Sequence, residues 1–339
     1  MRMDHPCVEN GLFFCFMGIH APATSEWRSI TVAASCSPLP YIGNKQCIER
    51  QLLAIAPPHE TYIEPCMGSA EFFFFKPPSK VEILNDFDGD LVNTFRVFQQ
   101  SEPLTYLIGR LCLSINSEQL FKLNRDLLLR TPNILDDLKE SAEIIKTASW
   151  EDVQRAAAFF ENHVYSFSST GQTYGIDSRD MGARIARILA VVDRLRNASI
   201  LHRDYKDAIL YGARDGAYIL CDPPYKGTEG MYPKGSFEAS EHEKLFWFFY
   251  DKVHRAFNGA CKFTITYNDC PMIRNLARCF GFFTLGIDRL HNMRQRVEGG
   301  DQFHELLVSN YDMVKQAEEN HPRLLCRSEF VRCAGAGSR

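Results

Sequence analysis

The sequence predicts an α/β protein whose mostly parallel sheet is interrupted by an inserted, mainly helical domain. Three observations predict it. Residues 61–100 read as strand, glycine-bearing turn, second strand and helix, and strand, turn, helix, strand is the βαβ signature of a parallel sheet. Residues 101–197 lose that alternation and read as helix after helix. From residue 198 the α/β alternation resumes.

The elements follow in order. The first 35 residues lack periodicity and read as a poorly ordered extension. A loop, Pro40-Tyr41-Ile42-Gly43-Asn44-Lys45, leads into a helix with Ile48, Leu52 and Ile55 on its apolar positions. Thr61-Tyr62-Ile63 is a strand, and Glu64-Pro65-Cys66-Met67-Gly68-Ser69-Ala70 is a turn. Val81 to Leu84 is a second strand that ends at Asn85-Asp86, before a helix from about Asp88 to Gln100. Inside the helical block, Tyr165 to Gly175 reads as a hairpin. A long helix follows, with Met181, Ile185, Ile188, Leu189, Val192 and Leu195 on one face and Arg184, Arg187, Arg194 and Arg196 on the other. Ile200-Leu201-His202 precedes Asp204-Tyr205, Ala217 to Cys221 is a strand, and Lys262 to Tyr267 is another. Phe282 to Ile287 and Glu305 to Ser309 form a closing hairpin. The expected organisation is thus 36–100 with 198–315 as one domain, 101–197 as the insert and 316–339 as a flexible tail.

Asp222-Pro223-Pro224-Tyr225 carries the strongest chemical signal. It ends an apolar, β-prone run, and two prolines cannot continue a ladder. The chain therefore turns there, at the carboxyl edge of the sheet, where open α/β folds bind ligands. A carboxylate beside a proline carbonyl accepts two hydrogen bonds from one exocyclic amino group, and the tyrosine ring stacks on a flat base. That equipment suits chemistry on the amino group of a nucleobase. Glu64, Asp86, Asp204 and Asp222 all follow strands, so they converge on one edge, where a nucleoside-containing cofactor would bind. Asp86 suits a ribose diol. Each acid taken singly is also an ordinary helix cap.

Two basic or polar stretches are candidates for phosphate and base contacts: Arg289, Arg294 and Arg296 in a segment free of acids, and Arg184 and Arg187 on the long helix. Ser168, Ser169, Thr170 and Gln172 in the hairpin would touch DNA backbone or base edges; they equally suit a plain polar hairpin. The formal charge of −4 excludes a protein that coats nucleic acid with basic surface, so any phosphate contacts are local. Twelve cysteines contain no C-x-x-C pair and read as reduced thiols rather than zinc ligands or disulfides. No G-K-[ST] phosphate loop, H-E-x-x-H string or serine–histidine–acid order is present. No apolar run is long enough to span a membrane and no secretory signal opens the chain, so a cytoplasmic enzyme is expected.

In their order these motifs resemble the DNA adenine methylase (Dam) family of adenine-specific DNA methyltransferases, from Pro38 to Tyr311. The carrying pieces are Pro38-Leu39-Pro40-Tyr41-Ile42-Gly43-Asn44-Lys45, Glu64-Pro65-Cys66-Met67-Gly68-Ser69, Ile83-Leu84-Asn85-Asp86-Phe87-Asp88, Asp222-Pro223-Pro224-Tyr225, Thr266-Tyr267-Asn268-Asp269 and Glu305-Leu306-Leu307-Val308-Ser309-Asn310. The resemblance implies a Rossmann-like methyltransferase fold with a seven-stranded, largely parallel sheet, S-adenosylmethionine as cofactor and double-stranded DNA as substrate. It implies cofactor contacts from Tyr41, Lys45, Glu64, Pro65, Gly68, Asp86, Phe87, Asp204, Tyr205 and Asp222, and a target-recognition role for the insert. It implies the transfer of methyl to the 6-amino group of a base extruded from the duplex, with Asp222, Pro223, Pro224 and Tyr225 as the catalytic residues. The family carries Gly-x-Gly after Glu64-Pro65; here the second glycine is Ala70, a costly change if that position needs positive φ. Methylation of the cytosine amino group or of RNA, and a DNA-binding relic without activity, are the competing readings. A monomer is the expected state, and a cognate restriction endonuclease is a partner that the sequence leaves open.

Overall fold

A computed structural model of the protein describes residues 37–130, 147–175, 180–228, 239–290 and 302–320. The expected N-terminal extension, Arg294 and Arg296 lie outside the described residues. One seven-stranded sheet has the order β3-β2-β1-β4-β5-β7-β6. Its strands are β1 (Thr61–Glu64), β2 (Val81–Asn85), β3 (Ser199–Leu201), β4 (Ala217–Cys221), β5 (Lys262–Asn268), β6 (Phe283–Leu290) and β7 (Gln302–Ser309). The run from β3 to β5 is parallel, and β7 enters antiparallel between β5 and β6. The expected closing hairpin is therefore present, with both strands longer than predicted.

Strand residues alternate between two apolar layers, and the central strands are buried on both faces, as parallel strands covered by helices must be. Tyr62, Leu84, Tyr218 and Leu220 join one cluster; Ile63, Ile83, Ile219, Phe263 and Ile265 join the other. The first face is covered by α1 (Glu49–Ile55), α3 (Gly89–Gln99), α4 (Ser101–Cys112), α6 (Trp150–Tyr165), α7 (Met181–Leu195) and α11 (Met313–Asn320). The second is covered by α8 (Tyr205–Gly212), α9 (Ala239–Phe248, continued by a π-helical turn Phe249–Arg255) and α10 (Pro271–Cys279). Two shorter or outer helices, α2 (Glu71–Phe75) and α5 (Glu118–Arg130), complete the described set.

Local sequence explains the helix starts. The Asp88 side chain accepts from the Asp90 amide at the start of α3. Ser149 and Asp152 close a reciprocal capping box on α6. Pro271 opens α10 where its missing N–H is harmless. The helical block shares the core of α3 rather than building one of its own: Phe95 and Phe98 meet Phe160, Leu104, Ile188 and Leu195 in one cluster. The expected boundary near Ser101 thus falls between two helices of the same core.

One expectation is corrected. The chain after Gln316 is not all tail: α11 runs to Asn320, whose amide donates to the carbonyls of Ala54 and Ala56 at 2.9 and 2.8 Å. The arginine-bearing face of α7 also reaches the sheet. Arg194 is drawn into the interior, donating to the buried Glu82 of β2 while its guanidinium lies 4.0 Å from the Phe73 ring centre.

Candidate active site

The carboxyl ends of β1, β2 and β4 meet as expected, and Asn85 at the end of β2 fastens the ends of β1 and β3 to it. Its amide donates to the Pro65 carbonyl at 2.8 Å and the Arg203 carbonyl at 3.0 Å, and its oxygen accepts from the Arg203 amide. A small cavity at this edge is lined by Gly43, Lys45, Glu64, Gly68, Glu71 and Asp222, among others.

Asp222 leaves β4 with its carboxylate gripped on both sides: Oδ1 accepts the Thr266 hydroxyl and Oδ2 the Lys45 ammonium. Burial pushes its carboxyl above the usual range, and Lys45 then Thr266 pull it back. Lys45 is not a solvated surface lysine. It is buried, donates to the Gly43 carbonyl at 2.7 Å, and lies 5.1 Å from the centre of the Tyr225 ring. Pro223 is buried, and Pro224 and Tyr225 are half-buried. The Tyr225 hydroxyl donates to Glu305 on β7, a fully buried carboxylate. Sequence reasoning gave Glu305 no role, although an acid heading the apolar run Glu305-Leu306-Leu307-Val308 was the available signal.

The glycine turn sits across this cavity. Gly68 has φ +48°, and its amide donates to Asp86 Oδ2 at 2.9 Å. Asp86 Oδ1 accepts from the Asp88 amide at 3.0 Å. Burial raises the Asp86 carboxyl and these backbone amides hold it down. Asp86 thus ties the turn to the end of β2 and keeps lone pairs for a ligand. Ala70 does adopt the left-handed conformation, φ 53° and ψ 36°, as feared from the missing glycine. The strain costs about 1–2 kcal/mol, whereas its fully buried methyl recovers about 0.8 kcal/mol. Ala70→Gly is therefore expected to shift chemical-denaturation stability by less than about 1 kcal/mol; a gain above 2 would show that the strain is unopposed.

Glu64 is buried and accepts the Tyr62 hydroxyl. Burial raises its pKa to about 8, against the opposing pull of Tyr62 and Lys76. Glu71, missed by the sequence reading, lines the same cavity; burial raises it to about 7 against the Ser37 amide, and its Oε1 has no hydrogen-bond partner. Raised carboxyls stabilise the fold fully at low pH and lose that contribution as pH climbs through the folded pKa. Wild-type unfolding free energy should fall between about pH 5 and 9. Glu64→Gln should flatten that slope in urea titrations, and an unchanged slope would refute the assignment.

Not every predicted residue reaches the cavity. Asp204 is exposed and caps α8 through the Lys206 amide, the plain structural role. Tyr205 is buried with its ring edge-on to Phe248, and Phe87 is 58% exposed beside Asp86. Tyr41 bridges two regions: it lies next to Gly68 and stacks on His163 of α6, ring centres 5.2 Å apart.

The expected hairpin has no strands: it is a tight loop around a 3-10 turn, Phe167–Ser169, closed by the single Ser166–Tyr174 bridge. Ser168 and Ser169 both have positive φ, 52° and 55°, a conformation non-glycine residues hold only at a cost. Ser166 Oγ accepts from the Gly171 amide at 2.9 Å, and Arg125 donates to the Gln172 carbonyl at 2.9 Å. The Thr170 hydroxyl turns inward to the Phe167 carbonyl, whereas Gln172 and the Phe167 ring are exposed. Beneath the loop a cavity of about 470 Å³ runs to Tyr41, Asp88 and His163. Arg184 and Arg187, in the first turns of α7, bear electrostatically on Glu71; Arg289 lies on β6. Among the described residues there is no cluster able to hold a metal, and the seven described cysteines are free thiols.

Comparison with known proteins agrees with this geometry. A protein of Escherichia phage P1, described as a DNA N-6-adenine-methyltransferase, is 24% identical over 256 residues, 71% of this chain. The chain spans 31% of that relative's length. The family model for D12 class N6 adenine-specific DNA methyltransferases matches residues 41–286, from the Tyr41 loop through the Asp222 turn to β6. The chain belongs to the D12 class of N6 adenine-specific DNA methyltransferases.

Proposed function

We propose that the protein moves a methyl group from S-adenosylmethionine to the 6-amino group of adenine in double-stranded DNA. The observation that carries this reading is Asp222-Pro223-Pro224-Tyr225 at the end of β4, its carboxylate facing the cavity beside the glycine turn. The names of the family and of the phage relative support adenine over cytosine and DNA over RNA.

The residues fit a cationic, nucleoside-bearing cofactor. Glu71 offers an unpaired buried oxygen and Glu64 a buried carboxyl to the ammonium of the amino-acid end, Gly68 allows close backbone approach, and Asp86 with the exposed Phe87 ring suits the ribose and adenine. Lys45 borders the same cavity, and Tyr41 lies beside its Gly68 and lines the neighbouring cavity under the 166–174 loop; Pro65 shapes the turn through its bond from Asn85. Asp204 and Tyr205 flank it more remotely. When bound, this cofactor supplies an electrophilic methyl on sulfur.

The adenine amino nitrogen is a poor nucleophile because its lone pair is delocalised into the ring. Asp222 and the Pro223 carbonyl accept its two N–H groups, which favours a more tetrahedral nitrogen. Asp222 would stabilise the positive charge that develops there as the nitrogen takes the methyl and the S–C bond breaks to leave a neutral thioether, and the surplus proton on nitrogen would pass by way of the Asp222 carboxylate to water. Tyr225 stacks on the extruded base, whose unstacking costs a few kcal/mol. The helical block 101–197 is the proposed target-recognition domain, with Ser168, Ser169, Thr170 and Gln172 at its tip and Arg184, Arg187, Arg289, Arg294 and Arg296 for phosphates. The protein would act as a monomer in the cytoplasm.

The test is transfer of labelled methyl from S-adenosylmethionine to unmethylated duplex DNA, followed by mass analysis of the nucleosides. N6-methyladenine as the product upholds the reading. Methylcytosine, or no product from a folded, cofactor-binding protein, rejects it.

A further inference from the structure

A target amino group must find an acceptor on Asp222, yet both oxygens of that carboxylate are engaged: Thr266 holds Oδ1 and Lys45 holds Oδ2. An ammonium on Oδ2 draws electron density from the acceptor and occupies the space the base needs. Lys45 has few other places to go, because it is buried and its remaining bond is to the Gly43 carbonyl. Moving a buried ammonium away from its paired anion into apolar surroundings is strongly unfavourable. A second anion is at hand. Glu305 Oε1 lies 3.9 Å from Lys45 Nζ, on a residue with no exposed surface, and the same oxygen accepts the Tyr225 hydroxyl. The register places Glu305 opposite Asn268, at the end of β5 beside Thr266, so the sheet itself fixes the distance between the two carboxylates. One ammonium thus lies between two acids, paired with one and within a short side-chain rotation of the other.

We infer that Glu305 is a positioning residue: it receives Lys45 when the target base takes Asp222, and it fixes the Tyr225 ring by its hydroxyl while the base stacks. The inference rests on the methylation reading above. The exchange keeps the ammonium paired throughout, so entry of the base does not leave a bare buried charge.

The test is single-turnover methylation of unmethylated duplex DNA by wild type, Glu305→Gln, Lys45→Met and the double variant, with S-adenosylhomocysteine affinity measured by calorimetry. Glutamine keeps the volume and a carbonyl for the Tyr225 hydroxyl but removes the charge. Glu305→Gln should lower the transfer rate roughly a hundredfold, the scale of one lost preorganised electrostatic contact. Cofactor-product affinity and the KM for DNA should change less than about threefold, a split that a general loss of structure would not give. Added to Lys45→Met, which has no ammonium to receive, the same substitution should cost under about threefold. If Glu305→Gln melts early, the comparison of the double variant with Lys45→Met, in which both charges are gone, decides the matter alone. Independent, multiplicative losses at the two positions would overturn the exchange, as would coupling of Glu305→Gln to Tyr225→Phe alone. A wild type that binds cofactor but makes no methyladenine sinks the methylation reading and this inference with it. A wild type that methylates adenine alongside an equally active Glu305→Gln sinks only the inference.

Discussion

Asp222→Ala is expected to lower methyl transfer to adenine by about a thousandfold or more while leaving a folded protein. The substitution removes an acceptor that would strengthen its hydrogen bond as charge develops on the amino nitrogen, an interaction made chiefly in the transition state. The loss should therefore appear in kcat rather than KM. Cofactor affinity should fall no more than about tenfold, the value of roughly one hydrogen bond. Stability offers a second, independent readout. Orphaning a buried lysine ordinarily costs about 3–5 kcal/mol. Here Glu305 lies only 3.9 Å from Lys45 Nζ and can take over part of the pairing. A loss of about 1–3 kcal/mol is expected in urea unfolding. Adding Lys45→Met should restore stability without restoring transfer. Activity within tenfold of wild type would remove Asp222 from the reaction.

Much of this architecture was legible because period and punctuation agreed. The β-prone runs at 61–64, 81–85 and 217–221 each end in a turn residue, and a parallel sheet needs nothing more to bring those ends to one edge. The chemistry at that edge was legible for the same reason: Asp222 and Glu64 had to converge once the strands did. What escaped were properties of pairing across the sheet. Nothing local marks Glu305 as a partner of Tyr225, because the contact spans 80 residues and depends on β7 entering antiparallel beside β5. Glu71 escaped because an acid in the first turn of a helix has an ordinary explanation. Asp204 erred the other way: it follows a strand as the others do, yet its carboxylate is spent on capping α8. Helical periodicity puts Arg194 on the polar side of α7, but it cannot reveal that a neighbouring strand carries a buried acid at matching height.

That acid supports the largest expected effect on stability. Glu82 is 3% exposed and binds two cations at once: Lys76 at 2.7 Å, and Arg194 through its two terminal nitrogens, the longer contact at 2.6 Å. Its Oε1 also accepts the Ser79 amide at 2.9 Å. The network joins α7 of the helical block to β2, the strand that ends at Asp86. Burial alone would raise the Glu82 carboxyl, yet the bonds from Arg194 and Lys76 outweigh it and hold the pKa below its ordinary value of 4.5. A depressed carboxyl gives stability that is present above that pH and lost as pH falls through the folded value. Glu82→Ala leaves two cations without their anion, one of them almost wholly buried, so a loss of about 3–5 kcal/mol is expected in urea unfolding at pH 7. The wild type should lose its advantage over the variant as the pH is lowered from 4.5 through the folded value, because protonation does to Glu82 what the mutation does. Replacing Glu82 by leucine together with Arg194→Met and Lys76→Met should recover most of the stability, since buried ion networks and apolar packing of similar volume are nearly equivalent in free energy. A Glu82→Ala loss below about 1 kcal/mol would mean that solvent reaches the cations, and that shared apolar core alone fastens the helical block to the sheet.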